Sequence, residues 1–191
     1  MVDETYTNKH QELSDSEKQK LLEIARKTIE CVANGKRPPE FKIDFPVLYE
    51  KRGAFVTLHR KGTLRGCIGY VYAYKPLYLS VIEMAEAAAM RDPRFTPIAP
   101  KEVQDLDIEI SVLSPLTEID NIEEITIGVH GILIERGHAS GLLLPQVATE
   151  HGWDRETFLN HTCVKAGLHP GSWKEHDAMI KIFSAEIFGT K

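Results

Sequence analysis

The sequence has little cysteine, little tryptophan and no excess of positive charge. Three cysteines and two tryptophans occur among 191 residues. Cys31, Cys67 and Cys163 form neither an even-numbered framework nor a Cys-x-x-Cys motif, so we expect reduced thiols. The net charge of −5 is opposite in sign to the basic surface that nucleic-acid binding usually needs. Nucleic-acid regulation is therefore the least favoured function class.

Targeting signals and long apolar runs are also missing. Residues 1–20 lack the basic start and apolar centre of a secretory signal, and no run approaches the length of a membrane span. We therefore expect a cytoplasmic protein. Neither a phosphate-binding glycine loop nor a dinucleotide fingerprint occurs, so the motifs identify no cofactor.

The remaining composition is that of an ordinary folded domain. Hydrophobic residues make up 42% and charged residues 27% of the chain, and this length fits one domain. The polar start predicts a flexible N-terminal tail over residues 1–14, followed by a single domain of two lobes over residues 15–191.

Periodicity and turn residues predict a mixture of helices and hairpins. Capping and apolar spacing predict helices starting after Ser14, Pro76, Pro145 and Asp154. Alternation predicts strands near 53–59, 63–69, 105–112, 128–137, 140–144 and 179–185. The absence of a regular βαβ rhythm favours the α+β class, with a mainly antiparallel sheet and flanking helices.

Residues 63–69, TLRGCIG, place a thiol between two glycines. In a strand, Arg65 and Cys67 point to the same face, and a guanidinium there favours the thiolate. Gly66 and Gly69 allow backbone or a ligand to approach closely. A packed, unreactive cysteine fits the same residues, so both interpretations stay open, as does His59 as a base contributed by the hairpin.

Two further clusters have an ordinary explanation beside a functional one. Asp107 and Glu109 share one face of a strand, where they could act as acid and base or simply be solvated. His151, His161, Cys163 and His169 have metal-ligand chemistry but match no familiar zinc spacing, so we predict no metal site.

The sequence LRGCIG at 64–69 resembles the signature hexapeptide of the AMMECR family. Further blocks resemble family blocks in the family order: DPRFTP at 92–97, EISVLSP at 109–115, GLLLPQVA at 141–148, GW at 152–153, and Cys163 through Trp173. Together they span nearly the whole chain from about residue 15. The single-domain length resembles the prokaryotic branch.

The resemblance implies an α+β domain of two lobes, with the hexapeptide near a cleft between them. It brings no established reaction, but it implies an association with Memo-type and radical-SAM proteins in the AmmeMemoRadiSam system. We expect a small-molecule enzyme or ligand-binding protein, and alternatively a non-catalytic partner domain for those two proteins. The expected catalytic residues are Cys67, Arg65 and Glu109; the expected ligand-binding residues are Thr57, Gly66, Gly69, Gln146, Cys163 and Lys165.

Overall fold

The computed structural model describes residues 12–190, which form two four-stranded antiparallel sheets with their own helices. The first sheet has the order β2-β1-β3-β8, with β1 Ala54–Arg60, β2 Thr63–Tyr70, β3 Leu106–Leu113 and β8 Ala185–Gly189. The second has the order β4-β7-β5-β6, with β4 Thr117–Ile119, β5 Gly131–Arg136, β6 Ala139–Leu143 and β7 Met179–Phe183. The predicted α+β class is confirmed.

Four α-helices occur among the described residues: α1 Asp15–Ala33, α2 Leu77–Met90, α3 Pro145–His151 and α4 Arg155–Lys165. Short 3₁₀ helices lie at Pro46–Tyr49, Pro100–Asp105, Ile122–Glu124 and Ser172–Lys174. The capping box between Ser14 and Glu17 starts α1 as expected. None of the helices within residues 12–190 combines the length and the hydrophobicity that a membrane span requires.

The first lobe consists of the first sheet with α1 and α2 on one face. Alternation along the strands turns Val56, Leu58, Ile108 and Ile110 toward the helices, where all are buried. The intervening residues of the same strands therefore point to the opposite face, which carries the Cys67 side chain.

The second lobe consists of the second sheet with α3 and α4. Its core is a separate cluster around Ile132, Ile134, Phe158 and Ile182. Helix α4 packs on β5 and β6. Two separate cores explain the two lobes that the family resemblance implies.

The chain changes lobes after β3 and again between β7 and β8. The two crossings are joined at Ser114, whose N–H donates to the Ser184 carbonyl and whose Oγ accepts from the Ser184 N–H, both at 2.9 Å. The final strand predicted over 179–185 corresponds to β7, while β8, which follows it in the other sheet, was not predicted. The short strand β4 was not predicted.

The predicted tail over residues 1–14 falls mainly on residues 1–11, which lie outside the described residues. Leu13 is buried, and its N–H donates to the Glu186 carboxylate of β8 at 2.9 Å. The described part of that segment is therefore attached to the first lobe.

Candidate functional site

Cys67 lies in a row of side chains that crosses three strands of the first sheet. Thr57 on β1 is paired with Cys67 on β2 and with Glu109 on β3. Directly opposite residues share a face, so the three side chains lie side by side. The Thr57 hydroxyl donates to the Cys67 sulfur at 3.2 Å, and Cys67 is a half-buried free thiol.

The loop after α2 binds the backbone of Cys67 at the free edge of β2. The Asp92 carboxylate accepts from the Cys67 N–H at 2.9 Å, and Arg94 Nη2 donates to the Cys67 carbonyl at 3.1 Å. Asp92 and Arg94 thus satisfy the groups that an edge strand leaves unpaired.

Asp92 and Arg94 also hold each other. Arg94 donates to the carboxylate from Nη2 at 2.8 Å and from Nε at 3.0 Å. Hydrogen bonds from the Arg94 side chain, together with those from backbone N–H groups, hold the pKa of Asp92 well below its usual range despite burial. The same ion pair raises the pKa of Arg94. Asp92 is therefore a buried anion that orients a guanidinium beside Cys67.

Arg65 does not fill the role expected from the sequence. The pairing of β1 with β2 shifts between Leu58 and His59, leaving Arg65 without a register partner in a bulge. Its guanidinium instead binds the Glu102 carboxylate through Nε and Nη2, both at 3.2 Å, and the Thr96 carbonyl at 2.8 Å. The predicted Arg65–Cys67 pair is thus replaced by an Arg65–Glu102 pair.

Phe95 lies near both arginines of the site. Its ring centroid lies 5.4 Å from the Arg94 guanidinium carbon and 6.0 Å from that of Arg65. These distances are in the range of cation–π attraction. The two guanidinium groups thus share one aromatic neighbour while Arg94 donates to Cys67 and Arg65 to Glu102.

Other atoms of the protein fill the space beside the two glycines of the hexapeptide. A Cβ at Gly66 would lie 2.3 Å from the Ala88 carbonyl oxygen of α2, and one at Gly69 would lie 2.2 Å from the Phe55 ring. Gly66 therefore allows β2 to approach α2, while Gly69 makes room for an aromatic ring. Close packing within the protein therefore accounts for a glycine at both positions.

Glu109 is on the predicted face but does not reach the thiol. Two strand spacings, roughly 9–10 Å, separate the backbones of β2 and β3, and Thr57 lies between Glu109 and Cys67. Glu109 instead borders a cavity of about 200 Å³ together with His59, Asp107 and Ile187. His59 likewise faces Asp107 across the β1–β3 pair.

The other expected ligand-binding residues belong to the second lobe. Gln146 lies on α3, while Cys163 and Lys165 lie on α4 against β5 and β6. Cys163 is fully buried, and this burial raises the pKa of its thiol. These three residues are not part of the Cys67 row, and the linings of the two cavities between the lobes contain none of residues 64–69.

The histidine group near α4 forms an aromatic stack. Trp153 lies between His151 and His161, with ring centroids 4.7 and 3.9 Å away and planes within 17° and 4° of parallel. Among residues 12–190, no group of three or more His, Cys, Asp or Glu side chains is placed to hold a metal ion.

Asp92, Arg94 and Glu102 belong to the site, but the sequence did not predict this. For Asp92 and Arg94, the sequence indicates only a stiff loop, DPRFTP, in which Pro93 and Pro97 restrict the backbone. Which strand that loop would meet depends on how α2 packs, and no local pattern encodes this.

Comparison with known proteins gives consistent findings. The AMMECR1 family model matches residues 22–188. A protein of Methanothermobacter thermautotrophicus is 46% identical over 94% of this chain and 97% of its own length. A protein of Methanopyrus kandleri is also 46% identical, over 88% and 86%. The crystal structure of an uncharacterized protein from Pyrococcus horikoshii is similar with a TM-score of 0.88 and 40% identity, covering 94% of each chain.

Proposed function

The chain belongs to the AMMECR1 family, and we propose that it is a cytoplasmic protein that binds a small anionic molecule at Cys67 and acts on it through this thiol. The main support for this proposal is the environment of the Cys67 sulfur. The half-buried Cys67 sulfur accepts a hydrogen bond from the Thr57 hydroxyl. Arg94, which Asp92 orients, donates a hydrogen bond to the backbone carbonyl of Cys67. A cysteine that only filled space would need neither.

Each residue of the site has a distinct role in this proposal. Cys67 is the nucleophile, and Thr57 fixes the direction of its sulfur. The side chain of Arg94 is 53% exposed, so it can still bind an anionic group of the ligand beyond Asp92. Glu109 serves as acid or base for a ligand that extends over β1. Arg65 is a positioning residue, because its pair with Glu102 fastens the bulge of β2.

Cysteine alkylation tests the proposal, because the chain provides its own control. Cys31 is likewise a half-buried free thiol, on α1. Native protein is treated with iodoacetamide at pH 7, and the modification of each cysteine is followed by mass spectrometry. We expect Cys67 to react at least tenfold faster than Cys31. Cys67→Ser assigns the fast phase. Equal rates at the two cysteines would refute a reactive thiol at this site.

A second candidate function is docking to Memo-type and radical-SAM proteins. Its support is three exposed apolar side chains at or near the start of α2: Tyr74 is 64%, Tyr49 52% and Leu79 38% exposed, and the Tyr49 ring lies against Tyr78 of α2. Exposed tyrosines are enriched in protein interfaces. Tyr74→Ala should then weaken co-purification with these partners, whereas Cys67→Ser should not. Unchanged co-purification of the Tyr74 variant would contradict docking through this patch.

A further inference from the structure

Arg52 is a buried cation whose donors are only partly used. It immediately precedes Gly53 and β1, and it is 3% exposed. Its Nη2 lies 3.4 Å from Glu186 Oε1, while Nε and Nη1 find no acceptor among residues 12–190. Buried polar groups are normally hydrogen-bonded, and an unpaired buried donor costs free energy. The guanidinium therefore retains capacity for an anionic acceptor.

Two cavities flank Arg52 where the lobes meet. The larger has a volume of about 490 Å³ and the smaller about 360 Å³. Both are bordered by Arg52 and by the chain crossing at Ser114, Pro115 and Leu116. The smaller volume is within the range of small-molecule sites.

Charge distinguishes the two cavities. Lys51 and Lys181 join Arg52 around the smaller cavity, against one carboxylate, that of Glu118. The larger cavity has two carboxylates, of Glu12 and Glu186, against Arg52. Among the lining side chains, positive charges outnumber negative ones in the smaller cavity and the reverse holds in the larger, so an anion suits the smaller cavity better.

The smaller cavity also has walls for an apolar group. Val71, Leu113 and Leu116 border it together with Tyr72. Lys181 comes from β7 of the second lobe, whereas Arg52 belongs to the first lobe. Lys181 already pairs with Glu135 at 2.7 Å, and this pair fixes its ammonium group at the cavity edge.

We propose that this inter-lobe cavity is a second binding site, for a small carboxylate or phosphate compound with an apolar portion. The anionic group takes the unused donors of Arg52 after a small rotation of that side chain, with Lys51 and Lys181 completing its neutralisation. The apolar portion lies against Leu113 and Leu116. The site is separate from Cys67, and a ligand in it contacts both lobes at once.

Thermal unfolding with two probes tests this site. The protein is heated in increasing sodium phosphate or sodium benzoate, with sodium chloride at matched ionic strength as the reference. A ligand at about 100 times its Kd is expected to raise the Tm of a chain of this size by roughly 5–10 °C. A saturable rise with one probe identifies its anionic group, and a rise with both indicates recognition of charge alone. Absence of a saturable rise up to 20 mM of both would overturn the proposal.

Variants assign the effect to the cavity. Arg52→Met should abolish the ligand-dependent rise in Tm. Lys51→Met and Lys181→Met should each lower the apparent affinity for the probe at least fivefold. Lys51 is exposed, so its variant should fold even if the Arg52 variant does not. Lys42→Met, whose side chain is 88% exposed elsewhere, should retain the rise. A rise that persists in the Lys51 and Lys181 variants would place the anion elsewhere.

The same measurement on Cys67→Ser separates the two proposals. This variant should keep the full rise in Tm, because Cys67 does not border the cavity. Loss of the rise in Cys67→Ser would show that the anion binds at the thiol, contradicting a second site while supporting the first.

Discussion

Replacing Asp92 by asparagine should destabilise the protein through one buried carboxylate. Asp92 is 4% exposed and accepts four hydrogen bonds, from the N–H groups of Cys67 and Arg94 and from Nε and Nη2 of Arg94. A hydrogen bond to a charged group contributes about 1.5–3 kcal/mol. The Arg94 ion pair is half exposed and adds under about 1 kcal/mol. We therefore expect Asp92→Asn to lower the free energy of unfolding by about 2–4 kcal/mol at pH 7.

The pH dependence of this loss follows from the lowered pKa of Asp92. In the unfolded chain the carboxyl titrates near its ordinary pKa of about 3.9. Its stabilisation is therefore fully present above that pH and is lost as pH falls toward the lower native pKa. The difference between wild type and variant should be constant from pH 8 to 5 and should shrink below pH 4.

Urea denaturation at several pH values measures both quantities. Asp44→Asn is the control, because its carboxylate is 68% exposed in a surface pair with Lys42, and it should change stability by under about 0.5 kcal/mol. A stability of Asp92→Asn within about 0.5 kcal/mol of wild type at pH 7 would show that the charge of Asp92 does not stabilise the fold. So would a difference that grows on acidification.

Three further predictions concern Gly66, Glu102 and Cys163. Gly66→Ala places a methyl group against the Ala88 carbonyl and should cost about 1–3 kcal/mol in urea denaturation; an unchanged midpoint would contradict the close approach of β2 to α2. Glu102→Gln removes the charged partner of Arg65 and should cost about 1–2 kcal/mol at pH 7, a loss that 1 M salt should not reproduce in wild type because the pair is largely buried. Cys163 should resist alkylation in the folded protein and react only in denaturant; native labelling at the rate of Cys31 would contradict its burial.

Local chemistry was sufficient to predict much of the fold. The capping box at Ser14 fixed the start of α1. The turn between β1 and β2 falls at Lys61 and Gly62, both with positive φ, as a two-residue hairpin requires. The alternation of apolar and polar residues from Leu106 predicted β3, because every second side chain of this strand is buried against the helices.

The missed features depend on tertiary contacts. Ser184 interrupts what reads as one apolar strand, and only the position of the first sheet shows that β8 belongs there. A one-residue bulge directed Arg65 to Glu102, since register decides which face a side chain occupies. The partners of Arg52, Glu186 and Ser80, are far away in the sequence, so no local periodicity could have predicted its burial.

A reactive Cys67 beside an anion-binding Arg94 can be tested by comparing two alkylating reagents at this cysteine. Iodoacetate is negatively charged and iodoacetamide is neutral, so their rate ratio measures positive charge at the thiol independently of its exposure. We predict that the ratio of the iodoacetate rate to the iodoacetamide rate is at least fivefold higher at Cys67 than at Cys31. Arg94→Met should reduce this ratio to the Cys31 value, whereas Arg65→Met should leave it within twofold. Equal ratios at the two cysteines, or a loss of the difference only in Arg65→Met, would contradict Arg94 as the anion-binding group beside a reactive Cys67.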